Sequence, residues 1–286
     1  MPHSTRRAFV VTLGATALAG GIAAPAYAET RGGHHGGKPP LRQAHAHNDY
    51  EHPRPLHDAL AHGFTSVEAD IWLVDGQLLV AHEEAELDPT RTLERLYLDP
   101  LLRRVRAGGG RVYPGHRQSL QLLIDIKNQG DATYRVLSRR LRRYRSMLSF
   151  TAGGRVFEAA VTPVISGDRA ARPAMEAERV RHAFYDGRLD DLGTGVPASF
   201  IPLISSNWTH SFTWSGVGPM PRAERAKLRQ IVDTAHARRQ RVRFWATPDQ
   251  AGPARDAVWS ELLAAGVDHL NTDDLAGLEA FLRAAR

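Results

Sequence analysis

Apolar and polar residues alternate along 66–73, which reads Ser-Val-Glu-Ala-Asp-Ile-Trp-Leu. Alternation is the signature of a β-strand, so Val67, Ala69, Ile71 and Leu73 share one face and Glu68, Asp70 and Trp72 the other. Strand-like runs recur at 41–47, 119–126, 159–165, 181–185, 200–205, 241–246 and 269–272. Asp75-Gly76 is a tight-turn pair, which predicts a return strand over 77–81. Helical periodicity fills the intervals at 55–62, 92–106, 133–148, 224–239, 255–265 and 275–285. Residues 84–118 form a long excursion, a length usually reserved for function or a lid. Eight principal strands, mostly separated by helices over 41–286, predict an α/β chain folded as a single-domain (β/α)8 TIM barrel. An open doubly wound sheet is the alternative, but no Gly-x-Gly-x-x-Gly follows the first strand.

The N-terminal 40 residues fall outside this rhythm. Residues 1–28 read as a twin-arginine signal peptide: Thr5-Arg6-Arg7-Ala8-Phe9-Val10, a weakly apolar run to residue 24, then the cleavage pattern Ala26-Tyr27-Ala28. The apolar run is too short to span a bilayer, so a secreted, extracytoplasmic protein is expected. Residues 29–40 are a Gly- and Pro-rich flexible linker, with His34 and His35 read as part of a solvated tail.

Composition removes several chemistries. The chain has no cysteine, which excludes disulfides, thiolate metal sites and a cysteine nucleophile. Its formal charge is +6, nearly all from arginine, and Arg139, Arg140, Arg142, Arg143 and Arg145 read as the wet face of one helix. No basic stripe is interleaved with aromatics, so no nucleic-acid partner is expected. A mild attraction to anionic phosphates or lipid surfaces is consistent with the charge. Lysine occurs only at 38, 127 and 227, which makes Lys127 conspicuous among chemical residues.

In a TIM barrel the chemistry gathers at the C-terminal ends of the strands. His45 and His47 end the first strand, Glu68 and Asp70 lie on the second, His82 follows the hairpin, and Asp125 and Lys127 end the next main strand. Three carboxylates without thiolates suit one hard divalent cation, Mg2+ or Ca2+. Such an ion holds a phosphate and neutralises charge on its oxygens. Two histidines are a natural acid and base near neutral pH. The set describes metal-assisted phosphodiester cleavage.

These residues also carry a resemblance. The segments His45-Ala-His-Asn-Asp-Tyr50, Pro55-Leu56, Asp58-Ala59-Leu60, Ser66–Leu73, Leu79–His82, Leu96-Tyr97, Pro100-Leu101, Asp125-Ile126-Lys127 and Gly266–Asp273 resemble the phosphatidylinositol-phospholipase-C-like phosphodiesterase superfamily. That superfamily includes the glycerophosphodiester phosphodiesterases and the sphingomyelinase D enzymes. The similarity is greatest to the altered inheritance of mitochondria protein 6 family. It implies that Glu68 and Asp70 are a metal pair, Asp125 the third ligand and His82 the second catalytic histidine. The first catalytic histidine falls on His45 or His47. His45 with Asn48 matches the His-x-x-Asn spacing of the sphingomyelinase D group, which favours His45 and leaves His47, Asn48 and Lys127 as substrate contacts. The His-Arg-Gly and Pro-Glu-Asn-Thr signatures of glycerophosphodiesterases are absent, and Glu83 follows His82 where that group has aspartate. The bond class is thus expected from the resemblance, but not the substrate.

Trp245, at a strand end, is a candidate lining of the substrate pocket, and 207–214 forms an aromatic loop. Ser166, Asp168 and Arg169 are candidate phosphate contacts, and Asp273 is read as a tie for the last strand. The expected partner is a small phosphodiester or phospholipid headgroup, met by a monomer with transient membrane-surface contact. Two rivals are a binuclear-metal amidohydrolase, which needs further histidines such as His182 and His210, and a non-enzymatic binding protein on the same barrel.

Overall fold

The computed structural model describes residues 39–285. The expected signal peptide and all but the end of the linker lie outside the described residues.

Strand β1 (Leu41–Ala46) leads through α1 (His57–Ala61) to the long β2 (Phe64–Val74). The Asp75-Gly76 turn returns the chain as β3 (Gln77–Val80), antiparallel to β2 as predicted. The excursion carries α2 (Asp99–Ala107) before β4 (Leu120–Ile126). It is less a lid than a wall: Leu93, Tyr97, Leu98, Leu101, Val112 and Tyr113 are all buried in the core. Helix α3 (Gly130–Leu141) stops short of the expected 148 in a single tighter turn, Arg142–Tyr144.

A small antiparallel sheet follows, formed by β5 (Phe150–Ala152), β6 (Arg155–Phe157) and β8 (Val180–Arg181), which was not expected. It brackets β7 (Val161–Gly167) and α4 (Arg172–Glu176). The remaining barrel strands are β9 (Phe184–Gly187), β10 (Leu203–Asn207), β11 (Arg241–Trp245) and β12 (His269–Thr272). Helices α5 (Trp208–Ser211), α6 (Arg222–His236), α7 (Pro253–Ala265) and α8 (Leu275–Ala284) accompany the last three. Strand β9 is followed only by a short turn, Leu189–Asp191.

The barrel order is β1-β12-β11-β10-β9-β7-β4-β2, closed by pairing of β1 with β2. All of these pairs are parallel. This is the predicted (β/α)8 barrel.

Alternation divides each strand between two environments. Val67, Ala69 and Ile71 of β2 and Leu120, Leu122, Ile124 and Ile126 of β4 pack into the main apolar core under the helices. Their neighbours face inward. Leu123, Val164, Phe184 and Leu203 make a small apolar plug inside the barrel. Nearer the C-terminal mouth the interior turns polar: His45, Glu68, Asp70, Asp186, Ser205, Arg243 and Asn271 are all buried. Burying unpaired polar groups costs about 1–3 kcal/mol each on protein scales, so a polar barrel interior needs its own pairing and signals function.

Candidate active site

Three carboxylates converge at the mouth. Glu68, Asp70 and Asp125 each offer an oxygen within 4.8 Å of the others, and among the described residues they form the one such group of metal-binding side chains. Strand register explains the meeting. Asp70 is paired with Asp125 on the neighbouring strand, and Glu68 shares the inward face of β2 two residues earlier.

Their surroundings fit a cation. Asp70 Oδ1 is buried without a hydrogen-bond partner among the described residues. Burial, and next the charge of Glu68, raises the Asp70 pKa. Burial, then the charges of Asp70 and Glu68, pushes Asp125 up to about 6. Mutually repelling hard oxygens with an orphaned lone pair are what a divalent ion relieves. Lys127 Nζ spans two of them, 2.7 Å from Asp70 Oδ2 and 3.5 Å from Asp125 Oδ1. Glu68 behaves differently. Burial opposes its charge, but Arg243, 2.8 Å away, together with the hydrogen bond with His45 and the charges of His47 and His45, outweighs that and holds its pKa well below the usual range.

Two histidines flank the triad in matching fashion. His47 Nδ1 lies 2.8 Å from Asp273 Oδ1. His82 Nδ1 lies 3.2 Å from Asp70 Oδ2 and 3.0 Å from the Tyr50 hydroxyl. An ionised carboxylate only accepts, so each ring donates through Nδ1 and keeps Nε2 for other work. Burial lowers the His47 pKa, yet the hydrogen bond to Asp273 and the charges of Glu68 and Asp273 outweigh it, and the net shift is upward.

His45 sits deeper. It is 0 % exposed, and both ring nitrogens are committed. Nδ1 lies 2.6 Å from Ser66 Oγ, while Nε2 accepts from Arg243 Nη1 at 2.6 Å and lies 3.0 Å from Glu68 Oε2. Burial and the Arg243 charge lower its pKa to about 4, which keeps the ring neutral. His45 is therefore buried beside Glu68 with neither ring nitrogen open to the mouth.

The other expected residues fall as follows. Asn48 has a left-handed backbone (φ 45°), and its Oδ1 lies 2.9 Å from the Tyr50 hydroxyl. Trp245 ends β11, half-buried and in register with Asn207 of β10, three strands around the barrel from β2. Asp168 does not face the triad: its carboxylate accepts from the backbone N–H of Gly130 and Ala170 at 2.8 and 2.9 Å. His182 packs against the Phe150 ring, and His210 is exposed on α5, so neither builds a second metal cluster.

Sequence reasoning passed over Tyr50 and Arg243, and gave Asp273 only a structural task. The Tyr50 hydroxyl donates to Asp70 Oδ2 at 2.6 Å, linking Asn48, Asp70 and His82. Burial and the Asp70 charge raise its pKa, so it acts as a neutral donor. Its place in the Asn-Asp-Tyr triplet after His47 was the available signal.

Comparison with known proteins gives the family. Residues 40–186 match the family model of the AIM6-like phosphodiesterase domain. The chain belongs to this family. Within the AIM6-like family, the altered inheritance of mitochondria protein 6 of Eremothecium gossypii is 30% identical over 280 residues, covering 85% of this chain and 70% of that one. The homologue from Arthroderma benhamiae is 27% identical over 260 residues, covering 83% and 82%. Residues 241–276 of this AIM6-like chain also match the glycerophosphoryl diester phosphodiesterase family. A glycerophosphoryl diester phosphodiesterase from Parabacteroides distasonis shares the fold at 16% identity, with a TM-score of 0.51 over 87% of this chain and 88% of that one.

Proposed function

We propose that this AIM6-like chain is a metal-dependent phosphoric diester hydrolase acting on a glycerophosphodiester or phospholipid-like substrate. One observation carries the reading: three buried carboxylates meet between two histidines whose Nδ1 atoms are both tied to carboxylates. Glu68, Asp70 and Asp125 would hold one Mg2+ or Ca2+. Such an ion, when bound, orients the phosphate and offsets its developing charge.

The chain's own groups then move protons. His82, anchored by Asp70 and Tyr50, takes the proton from the attacking water or substrate hydroxyl at Nε2. His47, whose charged form Asp273 and Glu68 stabilise, delivers a proton from Nε2 to the leaving alkoxide. This reassigns the first catalytic role from His45 to His47, because His45 has neither exposure nor a free ring nitrogen. Lys127 adds a point charge for the phosphate, and Trp245 and Asn48 line the approach.

The twin-arginine pattern at Arg6-Arg7 supports export, and the positive charge supports transient contact with an anionic membrane surface by a monomer. Among the described residues no helix is long and apolar enough to cross a membrane.

The test is a panel of phosphodiesters incubated with the mature protein, with and without EDTA, and read by phosphorus NMR. Cleavage that needs a divalent cation and is lost in both His47→Ala and His82→Ala is expected. Cleavage that survives full chelation would sink the reading.

A further inference from the structure

Opposite the His47 side of the mouth, the ends of β7 and β9 carry a second polar cluster that proton transfer does not use. At its centre is Asp186, 0 % exposed. It accepts from Ser166 Oγ at 2.8 Å, Ser205 Oγ at 2.7 Å and Arg188 Nη1 at 2.7 Å. Arg188 Nη1 also reaches the Gly187 carbonyl at 3.1 Å, and Nη2 donates to Ser166 Oγ at 3.1 Å. Arg169 braces the cluster from behind, donating to the Asp186 carbonyl at 2.7 Å with its guanidinium over the Tyr185 ring.

The Arg188 guanidinium is therefore fixed but not exhausted. Of its five N–H groups, Nε–H and one Nη2–H have no partner among the described residues, and the side chain is 31% exposed. Its position matters more. Ser166, which it touches, is in register with Asp125 on the adjacent strand. The next residue, Gly167, packs so closely that a Cβ there would lie 2.5 Å from Asp125 Oδ1. Arg188, just past the end of β9, is thus separated from the Asp125 strand by β7 alone, and it touches β7 at Ser166. Burial opposes the Arg188 charge, but Asp186, and with it Asp125, raises its pKa, so the group stays cationic.

We propose that Arg188 is a phosphate-binding residue of this site, its free N–H groups taking a non-bridging oxygen of the phosphate held at the triad. Planar guanidinium donors match two phosphate oxygens or one shared oxygen, which an ammonium cannot reproduce. Asp186 and the two serines are positioning groups. They neutralise one edge of the guanidinium, fix its plane and leave the other edge open. The proposal rests on the phosphodiesterase reading for the identity of the reacting group, but phosphate binding itself can be measured without turnover.

The experiment titrates inorganic phosphate into the Mg2+-loaded protein by calorimetry, and separately follows cleavage of bis(p-nitrophenyl) phosphate, a diester with no second anionic group. Arg188→Lys and the double variant Arg188→Gln/Asp186→Asn are compared with wild type. The double variant removes both charges together, which avoids leaving Asp186 buried and unpaired. Expected are a loss of phosphate affinity of about tenfold in Arg188→Lys and more in the double variant, and a fall in turnover of about 100-fold or greater. The melting profile and Mg2+ affinity of the double variant should stay near wild type. A folded double variant that binds phosphate and turns over normally would overturn the proposal. So would a loss seen only with an added diester that carries a second anion and not with bis(p-nitrophenyl) phosphate, which would make Arg188 a headgroup contact. A wild type that binds phosphate through Arg188 but cleaves no diester would uphold the phosphate site and defeat the phosphodiesterase reading alone.

Discussion

His47 and Asp273 face one another at 2.8 Å across the seam where the first and last strands of the barrel meet. The carboxylate fixes the ring through Nδ1 and stabilises its charged form. Asp273→Asn is expected to lower kcat by about 10- to 100-fold with little change in KM. It should also move the limb of the pH–rate profile assigned to His47 toward lower pH, since the raised pKa of His47 depends on that partner. A pH–rate profile of the variant checks both.

The two histidines can be told apart by the leaving group. A good leaving group needs no protonation. His47→Gln should therefore keep most of its activity on a p-nitrophenyl diester while losing about 100-fold or more on an alkyl diester. His82→Gln should lose both. Equal rescue of the two variants would show that the acid and base assignments are wrong.

Asp125, pushed up to about 6 without a cation, must release its proton to bind one. Divalent-ion affinity should fall as pH drops below about 6 and level off above it. Calorimetry in buffers of different ionisation enthalpy would read the released proton directly. A cation at about 100 times its Kd should stabilise the fold by about 2.7 kcal/mol, visible as a higher Tm that Asp125→Asn abolishes.

Asp49 ties stability to pH. It is buried, its Oδ2 accepts from Leu56 N–H at 2.6 Å and the Tyr97 hydroxyl at 2.8 Å, and burial raises its pKa to about 7. The folded state thus holds this proton more tightly than the unfolded chain. The resulting stability is complete below about pH 4 and is lost as pH rises through about 7, up to roughly 4 kcal/mol. Thermal melts should show Asp49→Asn flattening the decline between about pH 4 and pH 7.

Gly167 has φ +78°, and a Cβ there would meet Ile126 O at 2.2 Å and Asp125 Oδ1 at 2.5 Å. Gly167→Ala should displace Asp125, weakening divalent-ion binding by about tenfold or more while also lowering Tm. Calorimetric cation titration compared with wild type decides it.

The barrel and the acidic triad were readable because strand alternation shows which residues share a face. Glu68 and Asp70 stand two apart on an otherwise apolar strand, and Asp125 repeats the pattern. The choice between His45 and His47 was not readable. They stand two apart at the end of β1, and what separates them is burial: His45 is fully buried, whereas the His47 side chain, just past the strand, is 27% exposed. Arg243 was hidden for another reason. In an arginine-rich chain, Arg241-Val-Arg243 looks like surface charge, and its partner Glu68 is 175 residues away. The strand read as 181–185 ended one residue before Asp186, so Asp186 and Arg188 stayed out of view although their neighbours Ser166 and Arg169 are candidate phosphate contacts by sequence.

The chain order of the site has a consequence for when the proposed proton relay is complete. Asp273 is 226 residues from His47, and the barrel closes only when β1 pairs with both β2 and β12. The acidic triad belongs to the first half of the chain, but the partner that sets His47 and the arginine that sets Glu68 arrive with the final strands. On the proposed mechanism, a chain made only as far as β10 would carry the carboxylate triad without the partners that set His47 and Glu68. Activity would then report the docking of the last strand, whose Asp273 lies 226 residues from His47, a long-range contact of a kind slow to form.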